Sequence, residues 1–253
     1  MIEGRLVRID VALVPGAARV EGSWILIVVD QIRASTTITV ALDLGCSELL
    51  LAADVETARR LGRGTGRLLA GEQQAVKPED FDFDNSPVEL SRADIRGRSL
   101  VLCTTNGTAV VSRLRDAGHL LIGCIRNARA VAAVALRLAG ETDPPAGIHV
   151  ICAGLEGRFV LDDATAAGVI VGRLVEAARE VGLEPALTDA AEAAVRIRRS
   201  FPTLLAALTD SNGGATLRRI GATGDIAFCA EEDASETVPA LVRGEELRIT
   251  AMS

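Results

Sequence analysis

The run Trp24-Ile-Leu-Ile-Val-Val29 decides the fold class of this chain, and it ends at Asp30. A short run that is apolar at every position is typical of a strand buried on both faces, as in a parallel sheet. Helical spacing follows from Ala34 to Leu44, and Gly45 is placed to end that helix. This stretch therefore predicts a buried strand followed by a helix.

The same alternation continues to about residue 181. Further strands are predicted at residues 48–52, 68–70, 99–103, 119–122 and 148–152, and further helices at 55–61, 107–117, 128–138 and 163–181. Strands that alternate with helices of this length favour a parallel sheet covered on both faces. The predicted fold is α/β, three-layer α/β/α, with a mostly parallel central sheet.

The C-terminal third, from about residue 185, is less regular. It predicts helices at 188–199 and 203–208, a turn at 212–214 followed by a short helix, and strands at 225–229 and 246–250. Because no low-complexity linker interrupts the chain, we predict one α/β domain over residues 1–253, with this third either part of it or a subdomain.

The composition excludes several classes of protein. Of 253 residues, 49% are apolar and 24% are charged, which is ordinary for a soluble globular protein and excludes disorder. Lys plus Arg is 27 and Asp plus Glu is 34, a net charge of −7, and aromatic residues are only 2%. Both figures argue against a nucleic-acid partner, which favours a basic surface and aromatic stacking platforms.

No stretch is long and apolar enough to predict a membrane span, and residues 1–10 lack the pattern of a signal peptide. The five cysteines are widely spaced without a Cys-x-x-Cys pair, and there are only two histidines. This pattern predicts free thiols, disfavours a zinc site and favours a cytoplasmic location. The Ala-rich helices can pack either within the chain or across a homodimer, and the sequence does not decide between the two.

Acidic residues follow three of the predicted strands. Asp30 ends the first strand, Glu72 follows the third, and Asp163 opens the long helix after the sixth. Ligands of open α/β sheets bind outside the carboxyl ends of strands, and carboxylate oxygens suit Mg²⁺. The three carboxylates therefore predict a magnesium site, although Asp30 alone could be a turn residue and Asp163 alone a helix cap.

The segment Thr104-Thr-Asn-Gly-Thr108 predicts an anion site. It is a strand-to-helix turn whose backbone N–H groups, hydroxyls and helix dipole favour a bound phosphate. Arg33 lies at the start of a helix, where the helix dipole disfavours a cation. A bound anion nearby best explains a basic residue at this position. A simple capping turn is the alternative for residues 104–108.

A loop rich in polar residues precedes this turn. Phe81 and Phe83 can anchor it to the body, and Asn85 and Ser86 can then face the site. Pro87 forces a turn, since the residue before proline avoids the helical region. A well-packed surface loop is the alternative.

These motifs occur in the order and rough spacing of the 2-phosphosulfolactate phosphatase family, which this chain resembles from about Val29 to Pro239. The motifs that carry the resemblance are Asp30-x-x-Arg33-Ala-Ser-Thr-Thr37, Gly71-Glu72, Phe81-Asp-Phe-x-Asn85-Ser-Pro87, Thr104-Thr-Asn-Gly-Thr108, Asn127-Ala128, Cys152-Ala-Gly154, Asp162-Asp163-x-x-x-Ala167-Gly168, Ser211-x-Gly-Gly214 and Asp225-Ile226. The chain departs from the family pattern at Gln31, where an aliphatic residue is usual, at Gln73, where Arg is expected, and at Asp162, where Glu is common. Arg126 and Arg158 are candidates to replace the missing cation.

The resemblance implies a Mg²⁺-dependent phosphatase that hydrolyses (2R)-2-phospho-3-sulfolactate to 3-sulfolactate and phosphate, a step toward coenzyme M. A phosphatase of another small 2-phospho acid and a non-catalytic binder of an anionic metabolite are the alternatives. The nucleophile is a metal-activated water, Asp30, or one of Cys103 and Cys152. Our assigned residues are Asp30, Arg33, Thr105 and Asn106 as catalytic, Asp30, Glu72 and Asp163 as metal ligands, and Thr36, Asn85, Ser86, Thr104, Gly107, Thr108 and Asn127 as substrate-binding.

Overall fold

A computed structural model describes residues 5–19 and 24–252. Part of the segment 1–10, which was predicted not to be a signal peptide, therefore lies outside the described residues, namely Met1–Gly4. The strands are β1 Leu6–Ala12, β2 Ile25–Val29, β3 Glu48–Ala52, β4 Leu68–Gly71, β5 Ser99–Cys103, β6 Leu120–Ile122, β7 Ile148–Cys152, β8 Glu184–Leu187, β9 Val238–Val242 and β10 Arg248–Met252. The helices are α1 Ala34–Asp43, α2 Val55–Gly62, α3 Pro87–Leu90, α4 Asn106–Arg113, α5 Ala128–Gly140, α6 Leu161–Glu180, α7 Asp189–Arg199, α8 Leu204–Asp210, α9 Asn212–Arg219 and α10 Thr223–Cys229.

All ten strands form one sheet, in the order β4-β5-β3-β10-β9-β6-β2-β7-β1-β8. Strands β4-β5-β3 form one parallel group and β6-β2-β7-β1-β8 another. Antiparallel β10 and β9 join the two groups. The predicted α/β fold with a mostly parallel sheet and flanking helices is confirmed.

The burial of strand β2 on both faces explains why its sequence has no polar position. Ile25, Ile27 and Val29 join a core that includes residues of α5, α6 and α7. Leu26 and Val28 join a second core, which includes residues of α1, α3 and α4. Every β2 side chain is thus buried, as expected for a strand covered on both faces.

The second core joins the two parallel groups. It contains Leu26 and Val28 from β2 together with Leu49 and Leu51 from β3 and Leu102 from β5. The sheet therefore curls around α1 and α4, and strand ends from both groups reach one region. A third, smaller core packs α2 on the outer face of β3 and β5.

The C-terminal third differs most from expectation. The predicted turn at residues 212–214 is wrong, since these residues open α9, where the Ser211 side chain accepts a hydrogen bond from the Gly214 N–H. The predicted strand at residues 225–229 is also wrong, since it is helix α10. Strands β1, β8 and β9 were not predicted, because charged residues in β1 and the prolines Pro185 and Pro239 mask their patterns. Among the described residues, no helix has the length and apolarity needed to cross a bilayer.

Helices α6 and α7 approach each other at a glycine, which gives a prediction about stability. A Cβ on Gly168 would lie 2.2 Å from the Ala194 carbonyl oxygen, whereas a Cβ on Gly172 of the same helix would meet nothing within 4 Å. We expect Gly168→Ala to lower the free energy of unfolding by about 1–3 kcal/mol or more. The matched Gly172→Ala should raise it by up to about 1 kcal/mol, since alanine favours a helix. Urea unfolding measures both, and equal values for the two variants would contradict the packing described.

Candidate active site

A cavity of about 300 Å³ opens where β2, β4, β5 and β7 end. Seven of the residues predicted for the site line it, namely Asp30, Arg33, Glu72, Asn85, Thr105, Asn106 and Asp163. The other six do not, namely Thr36, Ser86, Thr104, Gly107, Thr108 and Asn127. Strands of both parallel groups contribute, so the curl of the sheet around its shared core builds the site.

Asp30 joins the two groups at the floor of this cavity. Its Oδ2 accepts a hydrogen bond of 2.8 Å from the backbone N–H of Gly107, at the start of α4. A Cβ on residue 107 would lie 2.8 Å from the same oxygen, so only glycine permits this contact. Loss of hydration raises the pKa of Asp30 to about 7, and the nearby charges of Asp162 and Glu72 add to the rise.

Asp162 was not among the residues predicted to bind the metal ion. Its carboxylate is 3% exposed and lines the cavity. Its Oδ1 has no hydrogen-bond partner within the described structure, although it is fully buried. Burial raises the pKa of Asp162 to about 6. An unpartnered buried carboxylate oxygen costs free energy unless a ligand satisfies it.

Both carboxylate oxygens of Asp163, the next residue, accept hydrogen bonds. Oδ1 accepts the backbone N–H of Gln31 and Oδ2 accepts that of Gly154, each at 2.8 Å. These bonds clamp the segments that follow β2 and β7. Burial, with the nearby charges of Asp162 and Asp30, raises the pKa of Asp163 well above its usual range.

The donor set fits a divalent cation in part. No three His, Cys, Asp or Glu side chains of the described chain lie close enough together to hold a metal ion as a group. Asp30 and Asp162, however, lie near each other without an ion pair to any basic side chain of the described residues. Mg²⁺ is commonly held by one or two carboxylates together with water and substrate phosphate. The orphaned Oδ1 of Asp162 is the observation that fits this ion.

Glu72 lies farther toward the solvent on the same cavity. Its Oε2 accepts the backbone N–H of Ala75 at 2.6 Å, which orders the loop after β4. Gln73 is exposed and does not line the cavity. The two candidates for the missing cation, Arg126 and Arg158, do not line it either.

In the predicted anion-binding turn, two threonines are buried and two other residues line the cavity. Thr104 and Thr108 are buried and their hydroxyls hydrogen-bond to each other at 2.8 Å. Thr105 and Asn106 line the cavity. The Asn106 Oδ1 accepts the backbone N–H of Glu156 at 3.2 Å, which leaves the Nδ2 group as a donor.

Arg33 is held by two acidic residues. Its guanidinium is 4% exposed, and one nitrogen lies 2.9 Å from carboxylate oxygens of both Asp84 and Asp225. The other oxygen of Asp225 accepts the Ser86 hydroxyl at 2.7 Å. Asp225 therefore joins Arg33 to the loop that carries Asn85, and its role was hidden by the wrong strand prediction for residues 225–229.

Several predicted substrate ligands make structural hydrogen bonds instead. The Thr36 hydroxyl donates to the Gln31 carbonyl at 3.2 Å. The Asn127 amide donates to the carbonyls of Ile122 and Thr237, and its oxygen accepts the Cys124 N–H. Asn85 is 5% exposed on the cavity wall, and its Oδ1 has no partner in the described structure. Of these, only Asn85 is placed to contact a ligand in the cavity.

The five cysteines are free, as predicted, and all five are buried. Neither Cys103 nor Cys152 lines the cavity. Burial raises the pKa of Cys103 to about 11 and that of Cys152 well above its usual range. Both thiols are therefore protonated at neutral pH and are poor nucleophiles.

Comparison with known proteins gives one family. The chain matches the 2-phosphosulpholactate phosphatase family over residues 11–244. It is 37% identical over 238 residues to a probable 2-phosphosulfolactate phosphatase of Thermus thermophilus, covering 92% of this chain and 94% of the relative. Proteins of the same name from Deinococcus radiodurans and Thermotoga maritima are each 36% identical, over 230 and 219 residues, covering 90% and 86% of this chain and 92% and 89% of the relatives.

Proposed function

This chain belongs to the 2-phosphosulfolactate phosphatase family, as its motifs predicted, and from that premise we propose that it is a phosphoric monoester hydrolase. Its proposed reaction is the Mg²⁺-dependent hydrolysis of (2R)-2-phospho-3-sulfolactate to 3-sulfolactate and phosphate, in a route toward coenzyme M. The observation that supports catalysis most strongly is the unpartnered, buried carboxylate oxygen of Asp162 beside Asp30 in the cavity.

Asp30 and Asp162 would hold the magnesium ion, with Glu72 on the same cavity wall. When bound, Mg²⁺ would offset the negative charge of the phosphoryl oxygens. Asp163 instead acts as a positioning residue in this proposal, since both of its oxygens accept backbone N–H groups. It keeps the ends of β2 and β7 together, so that Asp30 and Asp162 stay adjacent.

The phosphoryl group would be bound by neutral donors of the chain. Thr105 and Asn106, whose hydroxyl and amide Nδ2 groups are donors, line the cavity, and the next residue, Gly107, contacts Asp30. Preorganised donors of this kind stabilise charge that develops in the transition state, and each contributes about 10²–10³-fold in rate. Asn85, on the opposite loop, would orient the organic part of the substrate.

The reaction breaks the bond between phosphorus and the ester oxygen. The attacking oxygen comes from water or from the Asp30 carboxylate, because the two candidate thiols lie away from the cavity. The electron pair of the broken bond stays on the ester oxygen, which takes a proton and becomes the hydroxyl of 3-sulfolactate. When water attacks, inorganic phosphate forms directly and a proton of that water ends on the ester oxygen. When Asp30 attacks, a water molecule then hydrolyses the acyl phosphate to inorganic phosphate and the free carboxylate, and supplies the proton.

A phosphate-release assay tests the proposed function. Protein treated with EDTA is incubated with 2-phospho-3-sulfolactate, with and without added Mg²⁺. We expect many turnovers per protein molecule with Mg²⁺ and less than about 1% of that rate with EDTA. Release that is equally fast in EDTA would refute the metal requirement. No turnover under either condition would refute the enzyme and favour a binding protein.

A panel of phosphorylated hydroxy acids tests the substrate. The proposal predicts the highest kcat/KM for 2-phospho-3-sulfolactate, above 2-phospholactate and 2-phosphoglycerate. A higher kcat/KM for an acid without a sulfonate would favour a phosphatase of another 2-phospho acid.

A further inference from the structure

Arg219 lies on the helix face that borders the cavity. Gly213, Thr216 and Arg219 are three residues apart along α9, and all three line the cavity. A Cβ on Gly213 would lie 3.0 Å from Oδ2 of Asp162, so the start of this helix packs on the carboxylate. At about 1.5 Å per residue, Arg219 begins about 9 Å farther along the axis. Helical side chains lean toward the N-terminus, and for Arg219 that direction is toward Asp162.

The charges on the cavity wall make Arg219 distinct. Five acidic residues and two arginines line the cavity, and the acidic ones are Asp30, Glu72, Glu156, Asp162 and Asp163. The other arginine, Arg33, is neutralised by Asp84 and Asp225. The Arg219 side chain forms no ion pair or hydrogen bond with the described residues.

Its neighbour Arg218 has a different environment. Arg218 donates a hydrogen bond to the Thr209 carbonyl and does not line the cavity. Both arginines lie in the last turn of α9, where a cation is favoured by the helix dipole. The dipole therefore explains a basic residue at either position, but it does not explain why Arg219, which is exposed and has no partner among the described residues, is the one that lines the cavity.

We propose that Arg219 binds the sulfonate of the substrate and selects for it, an inference that rests on the proposed phosphatase function. The substrate carries phosphate and carboxylate on one carbon and sulfonate on the next. With the phosphate at Asp30 and Asp162, the sulfonate is the group farthest from it. Acidic walls would repel a sulfonate unless a cation without an acidic partner met it, and a guanidinium suits an oxyanion with several acceptor oxygens.

Kinetics with two substrates test this assignment. Arg219→Gln is compared with the matched Arg218→Gln, using 2-phospho-3-sulfolactate and 2-phospholactate, which lacks the sulfonate. We expect Arg219→Gln to lower kcat/KM about 30–100-fold for the sulfonated substrate. For 2-phospholactate the change should stay within about threefold, and Arg218→Gln should leave both values unchanged. An equal loss for both substrates, or no loss for either, would overturn the assignment.

Direct binding separates this inference from the proposed reaction. Calorimetry in Mg²⁺ compares the binding of 3-sulfolactate with that of lactate to the wild-type protein and to Arg219→Gln. Sulfolactate binding that needs Arg219, without phosphate release by the wild-type protein, would refute the phosphatase and keep the sulfonate site. Phosphate release by a wild-type protein that binds the two acids equally well would refute the sulfonate site and keep the phosphatase. A wild-type protein that neither releases phosphate nor binds sulfolactate would refute both.

Discussion

Asp162→Asn should lower kcat/KM for phosphate release by at least about 10³-fold and leave the protein as stable as the wild type or more so. The activity is lost because the amide removes one of the two carboxylate charges that would hold Mg²⁺. The stability is kept because the buried Oδ1 has no hydrogen-bond partner in the described structure to lose. Phosphate release and urea unfolding of the same preparation measure the two effects.

Asp163→Asn is the matched control, one residue along the same helix. An asparagine there can accept only one of the N–H groups of Gln31 and Gly154, and its own N–H₂ faces the other. A buried donor left unpaired costs about 1–3 kcal/mol, so this variant should unfold at a lower urea concentration. If Asp163→Asn were stable but inactive and Asp162→Asn were active, the two residues would have to exchange roles.

Arg33→Gln should produce the largest loss of stability, about 3–5 kcal/mol in the free energy of unfolding. The change leaves the carboxylate of Asp225, which is 2% exposed, without its charge partner. A neutral partner removes that penalty, so the double variant Arg33→Gln/Asp225→Asn should recover part of the loss. Chemical denaturation of the two single variants and the double variant gives the coupling between the residues.

Arg59→Gln serves as the control for this ion pair. Arg59 and Asp80 form a two-bond pair with good geometry, but both side chains are almost half exposed. Exposed pairs contribute little, so this variant should unfold like the wild type. A loss in Arg59→Gln as large as in Arg33→Gln would show that burial does not set the strength of the Arg33 network.

The strand core and the position of the site were predictable because they depend on local patterns. Val29 ends a run without polar residues, and such a run is only stable when covered on both faces. The polar residues Asp30, Glu72 and Thr105 follow strands directly, and all three line the cavity. Strand ends from both parallel groups meet there because the sheet curls, and the two groups are joined by β9 and β10, which come from the far end of the chain.

The choice between Asp162 and Asp163 could not be read from the sequence. Neighbouring residues on a helix point about 100° apart, so the first residue of α6 decides which carboxylate meets a backbone N–H and which stays without a partner. That residue is Leu161, two positions earlier than predicted. The orphaned oxygen is a property of tertiary packing and leaves no pattern in the sequence.

The contributions of Asp225 and Arg219 were hidden for a related reason. Asp225-Ile-Ala-Phe-Cys229 is apolar at four of its five positions, and so short a segment does not distinguish a buried strand from a helix. It is helical, and the packing of α10 places the Asp225 carboxylate against Arg33. Arg219 lies in the short helix predicted after residues 212–214, but that prediction fixed no helix bounds and so did not show which residues face a cavity.

A crystal structure with Mg²⁺ and 3-sulfolactate tests whether Asp30 and Asp162 hold the magnesium ion. We expect an ion within about 2.0–2.1 Å of carboxylate oxygens of Asp30 and Asp162, with 3-sulfolactate in the same cavity. An ion bound elsewhere, or 3-sulfolactate in the cavity with saturating Mg²⁺ and no ion between these two carboxylates, would contradict it.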